Sequence, residues 1–119
     1  MANSFKVKTH AAMSASANTF ETLYTCPGTE SNTKAVVLGL VLCNVHTSQI
    51  TVDVQLVSNT SDTETNQTVK LLNAVPIPAG SSLEVLSGNK VVMQGTDIMK
   101  ISCSVAAKVD VALSIMEIT

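Results

Sequence analysis

Residues 34–58 read KAVVLGLVLCNVHTSQITVDVQLVS, and the change of pattern inside them decides the fold. The first half, 35–43, is apolar at every position apart from Gly39, the signature of a strand covered on both faces. The second half, 50–57, alternates. Ile50, Val52, Val54 and Leu56 fall on one side and Thr51, Asp53 and Gln55 on the other, as in a strand covered on one face. Asn44-Val45-His46-Thr47-Ser48 makes a polar turn between them. The two strands are therefore expected to be antiparallel neighbours, with 35–43 central and the least exposed segment of the chain.

Short alternating segments continue on both sides. Residues 20–26 (FETLYTC) place Phe20, Thr22, Tyr24 and Cys26 on one face and Glu21, Leu23 and Thr25 on the other, and Pro27-Gly28 ends them. Residues 68–75 run into Pro76-Ile77-Pro78; each proline lacks the N–H a ladder needs, so this strand belongs at an edge or at a crossing between sheets. Residues 82–86 and 90–93 flank Ser87-Gly88-Asn89, which predicts a tight hairpin. After the turn Gln94-Gly95-Thr96-Asp97, strands at 98–104 and 108–118 close the chain. Residues 58–67 (SNTSDTETNQ) hold no apolar side chain and form an exposed loop. Residues 1–19 are small and polar, an extended arm or first edge strand suited to lying along a neighbouring subunit. No amphipathic helix is visible. The expectation is an all-β protein: an N-terminal arm, 1–19, and a single domain, 20–119, forming an antiparallel β-sandwich of about eight short strands. It is of jelly-roll or immunoglobulin-like type, with a small barrel as the alternative.

Composition narrows the function classes. With 119 residues the chain has room for one core, and 45% of it is hydrophobic. The longest apolar run is shorter than the roughly 18 residues a spanning helix requires, so the surplus is assigned to a core and to contacts with other subunits, not to a membrane. Residues 2–19 carry no apolar segment of the kind a secretory leader has, so none is expected. Net charge is −2, and the seven basic residues are all lysines. Nucleic-acid binders read phosphate and guanine with arginine on a basic stripe, and both are missing, so no nucleic-acid partner is expected. With no Trp and 3% aromatics, stacking on bases or sugars is disfavoured too.

Site chemistry is sparse. A nucleophile–base pair would have to use His10, in the arm, or His46, in a turn, and no G-x-S-x-G is present. Cys43 and His46 make one C-x-x-H pair, but zinc needs about four ligands, and Cys26, Cys103 and His10 lie at unrelated spacings. The three cysteines read as small buried hydrophobes, pointing weakly to a reducing compartment or to indifference to redox. Asp62 and Glu64 offer calcium too few oxygens. Asn59-Thr60-Ser61 and Asn66-Gln67-Thr68 match the glycosylation pattern in a loop that is simply rich in Asn and Thr. No catalytic, cofactor-binding or metal-binding residue is expected, and no cofactor.

Residues 77–119 hold Ile77-Pro78, Gly80, an alternating strand over 83–86, Gly88, Lys90-Val91-Val92, the Gly95-x-Asp97 turn, Ile101-Ser102, and Ser114 to Glu117. In this order they resemble the small β-sandwich virion structural proteins of tailed bacteriophages, marine and cyanobacterial phages in particular. The N-terminal half is similar through MANSFK, Leu23-Tyr24-Thr25 before a proline, and the strands at 36–44 and 50–56. The resemblance implies a non-enzymatic virion protein, most readily a capsid-associated decoration or cement subunit, with a neck, tail, baseplate or fibre position as the alternative. It implies homo-oligomers, other virion proteins as partners, assembly in the host cytoplasm, and contacts through strand edges and the 1–19 arm. A host-surface or glycan-binding module using loop 58–67 is the rival reading.

Overall fold

The computed structural model describes residues 3–27, 33–59, 67–85 and 90–118. Nine strands and no helix occur among them: β1 (Asn3–Met13), β2 (Glu21–Thr25), β3 (Lys34–Asn44), β4 (Ile50–Val57), β5 (Thr68–Ile77), β6 (Ser82–Glu84), β7 (Val91–Gln94), β8 (Ile98–Cys103) and β9 (Val109–Ile118). They form two antiparallel sheets. The first runs β1-β9-β3-β6 with β7 also on β3, and the second runs β2-β8-β4-β5. Alternation drives this arrangement: β9 buries Val109, Val111, Leu113 and Ile115 and turns Asp110, Ala112, Ser114 and Met116 outward. Leu40, Leu42, Leu113 and Ile115 of the first sheet meet Val52, Val54, Met99 and Ile101 of the second in one fully buried core.

The chain changes sheet at every step except β4 to β5 and β6 to β7. β6 and β7 lie successively along the same side of β3, Ser82–Glu84 opposite Cys43, Leu42 and Val41, then Val91–Gln94 opposite Val37 to Lys34. They are therefore two halves of one interrupted strand. With that strand counted once, each sheet has four members, in the interleaved order of a jelly roll. The order decides between the two sandwich types left open by the sequence, and the interruption accounts for nine strands in place of eight.

Four expectations need correction. First, β3 and β4 are not neighbours; they lie in different sheets. The link between them is a corner held by Asn44, whose Nδ2 donates to the carbonyls of Ser48 (3.0 Å) and Ile77 (2.9 Å) while its Oδ1 accepts from His46 N (2.7 Å). Second, β6 and β7 pair with β3 and not with each other, and residues 86–89, where the hairpin turn was expected, lie outside the described residues. Third, β3 is covered on one face only. Ala35, Val37, Leu40 and Leu42 are fully buried, but a bulge at Leu38 resets the alternation and leaves Leu38 and Val41 exposed on the other side. Fourth, in β2 a similar register shift between Thr22 and Tyr24 buries Leu23 together with Tyr24 and Cys26, where strict alternation had separated them.

The extended N-terminal segment forms the edge strand β1, paired with β9 from Asn3↔Ile118 onward. Pro76 sits in β5, the edge of the second sheet, where its missing N–H costs no ladder bond. β1 and β5 are both bulged, and both bulges are pinned by an aspartate of the adjoining strand. Asp110 Oδ1 accepts from Ala12 N (2.8 Å), and Asp53 Oδ1 accepts from Ala74 N. Ala12 (φ 56°) and Ala74 (φ 49°) adopt the left-handed region there, which bends the edge away from a regular ladder.

Candidate functional site

Cross-strand register sets which side chains share the outside of the first sheet. Phe5, Met116, Val36 and Val92 stand opposite one another across β1, β9, β3 and β7. Val7, Ser114 and Gly39 form the next row, and Thr9, Ala112, Val41 and Glu84 the one after. Phe5 is 75% exposed, Val7 61%, Val92 59%, Val41 41% and Leu38 37%. Five of the seven large apolar residues exposed among the described residues thus lie on one face. Scattered exposed hydrophobes are ordinary; a contiguous band on one sheet marks a contact surface. At its far end a cleft of about 310 Å³ opens between Thr9, Ala11, Val41, Cys43, Asp110 and Ala112.

A second feature closes the open side of the sandwich, where the edges β1 and β2 approach. Alternation aims Lys6, Lys8 and His10 inward from β1, a placement that discourages strand addition at an edge. Buried Glu117 of β9 receives Lys6 Nζ on Oε1 (2.8 Å) and the Tyr24 hydroxyl on Oε2 (2.5 Å). Those two hydrogen bonds hold the Glu117 carboxyl below its usual range, Lys6 first and Tyr24 second, against the opposing effect of burial. Burial, with the bond to Glu117, pushes the Tyr24 phenol far above its ordinary value. His10 Nε2 donates to the Leu23 carbonyl (2.7 Å), at the β2 bulge. The surrounding groove, about 520 Å³, is lined by both edges.

The residues weighed for chemistry are dispersed. Cys26, Cys43 and Cys103 are free thiols; Cys26 and Cys103 are buried, and burial raises the Cys26 pKa. Cys43 lies on the outer face of the first sheet, while His46 follows in the corner after β3. No cluster of three or more His, Cys, Asp or Glu side chains able to hold a metal occurs among the described residues. Asp62, Glu64 and Asn66 lie outside them. The entry to that loop is fastened: Asn59 N donates to buried Asp97 (2.8 Å), and Thr96 Oγ1 donates to the Asn59 carbonyl (2.9 Å). Sequence reasoning missed the outer face because Phe5 and Val7 lay in the segment 1–19 read as an arm, while Leu38 and Val41 lay in a strand read as covered on both sides. The signal was the second apolar side of 35–43, which reads equally as core or as contact surface.

No protein-family model matches the chain, and no curated protein matches it in sequence. Solved structures share its fold. A structure of Bacillus endospore appendages, described as disulfide-linked pili, aligns with TM-score 0.51 at 16% identity over 99% of this chain and 87% of that one. The infectious bursal disease virus particle aligns with TM-score 0.61 at 14% identity, over 97% of this chain and 30% of the viral one. The subviral particle of the same virus gives 0.52 at 13% identity, over 95% and 32%. The chain thus spans most of the pilus subunit and under a third of the chain in the virus particle. At such identities the likeness is one of fold: a jelly-roll sandwich of the kind found in chains that build particles and filaments.

Proposed function

We propose that the protein is a non-enzymatic structural subunit of a virion, a homo-oligomer that joins other virion proteins as a decoration or cement layer on a capsid. The observation that carries this reading is the apolar outer face of the first sheet, a contact surface on a molecule whose core is complete without it. Two further features support it. The fold is shared with particle and pilus subunits at TM-scores of 0.51 to 0.61, and the sequence resembles small virion proteins of tailed phages. Contacts pass through that face and through β1, not through any catalytic group. The subunit assembles in the host cytoplasm and takes neither nucleic acid nor membrane as partner. Mass spectrometry of purified particles with copy counting tests the reading. Copies on the scale of the capsid lattice are expected, a number matching the neck or tail moves the protein there, and absence from particles overturns the proposal.

A further inference from the structure

The outer face of the first sheet carries a knob and a hole. The knob is Phe5, 75% exposed and standing in the row of Met116, Val36 and Val92. The hole is the shallow, open cleft of about 310 Å³ at the opposite end, lined by Ala11, Val41, Cys43 and Ala112 with Thr9 and Asp110 as its polar members. It has room for a phenyl ring, whose burial is among the largest apolar gains one side chain can offer. The face is also polar end to end. Lys34 is exposed at the Phe5 end, opposite Ile118 and Gln94, whereas Glu84 and Asp110 lie at the cleft end.

We propose that this face seats a second copy of the same chain, turned end for end about a two-fold axis lying across the strands, so that Phe5 of each copy enters the cleft of the other. The inference rests on the reading of the protein as a self-assembling subunit and names its partner surface. Two axes can bring the faces together. One along the strands keeps like ends together, so that the Lys34 ends meet, the Glu84 and Asp110 ends meet, the two Phe5 rows are superposed and both clefts stay empty. The axis across the strands sets Lys34 of each copy over the Glu84 and Asp110 end of the other and fills both clefts at once. Charge and shape select the same arrangement.

The area agrees with a partner that binds weakly. Four strands about 4.8 Å apart, over the seven residues from Phe5 to Ala11 at about 3.3 Å each, cover about 450 Å² per copy. The resulting interface of about 900 Å² falls below the roughly 1,200–2,000 Å² of stable complexes and among weak, transient contacts, so the pair forms when the local concentration is high, as on a particle surface. An isologous contact closes after two copies and leaves the polar second sheet in water.

Sedimentation velocity over concentrations reaching about 1 mM tests this, because weak interfaces have Kd values in that range. A monomer–dimer equilibrium is expected, and Phe5→Ala should weaken it by about tenfold or more, as loss of a central aromatic anchor does. Ala112→Leu, which fills the cleft, should do the same, with circular dichroism and melting showing both variants folded. Glu84→Lys should weaken the dimer, and Glu84→Lys combined with Lys34→Glu should restore it. A wild-type chain that stays monomeric, or a dimer indifferent to Phe5→Ala, overturns the proposal; failure of the charge swap to restore overturns the end-for-end geometry. Particle analysis is read separately. A Phe5-dependent dimer that is absent from virions overturns the virion reading alone, and a virion protein without this dimer overturns the interface alone.

Discussion

On the outside of the first sheet Phe5, Met116, Val36 and Val92 stand in one row; on the outside of the second the matching row is Thr22, Lys100, Gln55 and Lys70. At the core the inner faces show no such difference, since both are closed with Leu, Ile, Val and Met, and only the β1 margin of the first sheet turns Lys6, Lys8 and His10 inward. Folding requires only the inner faces, so it dictates neither outer one. The second sheet takes the common solution and hydrates its back with Thr51, Gln55, Lys100 and the Lys70–Asp53 pair (3.1 Å). The first keeps its back apolar, which carries a solubility cost that a lone domain has no reason to bear. The asymmetry separates what the chain needs in order to fold from what it offers to a neighbour.

The largest effects should ignore the difference between the sheets. Leu113→Ala in the first sheet and Ile101→Ala in the second should each lower unfolding free energy by about 2–5 kcal/mol in urea melts. If only one did, the two inner faces would not form the single core described.

Next come the pinned edges, one per sheet. Asp53→Ala and Asp110→Ala should each cost about 1 kcal/mol by freeing a left-handed alanine bulge. Asp53 should cost more because Lys70 loses its partner as well. Equal costs would mean the ion pair adds nothing.

The closure of β1 over β2 is specific to the first sheet and should show in pH. A carboxyl held below its usual range stabilises the fold above the unfolded pKa, and that stability is lost as pH falls through the folded value. Lys6→Met removes the main cause at Glu117. It should therefore destabilise at pH 7 by less than about 1 kcal/mol, because Lys6 is nearly half exposed. The gap to wild type should close as the medium is acidified until Glu117 is protonated in the folded protein; a gap that persisted beyond that point would assign the loss to packing.

Smallest in stability are exchanges on the outer faces themselves. Val92→Thr, or Gln55→Val with Lys100→Val, should change unfolding free energy by no more than about 0.5 kcal/mol. Light scattering should nonetheless separate them, the first reducing self-association and the second creating it. A large stability change in either would show that the outer face belongs to the core after all.

The fold class was legible because period-two patterning survives in β4, β8 and β9 without help from distant residues. Prolines 76 and 78 likewise marked, by their positions, an edge or a crossing between sheets, and β5 is the edge of the second sheet. Strand partners were not legible. A polar link of a few residues predicts a hairpin as readily as a corner, and only the bonds from Asn44 to Ser48 and Ile77 distinguish them. Bulges also defeat a reading by parity: Leu38 and Leu23 each occupy a position whose face depends on one extra residue in the ladder. The contact face fell in the same blind spot, since Phe5 and Val92 are 87 residues apart in sequence and become neighbours of one row only through β9 and β3.

The pairing of Asn3 with Ile118 also dictates when the protein can fold. β9 is made after every other strand of the first sheet, and it lies between β1 and β3 at the centre of that sheet. Until it leaves the ribosome, β1 has no ladder partner and β3 lacks one of its two flanks. The first sheet must therefore form after synthesis of its final strand, in a slow step dominated by distant contacts. Until that step the apolar back of β3 has no organised face to belong to, so a contact that needs the rows running from β1 to β7 becomes available only once the whole sheet has closed.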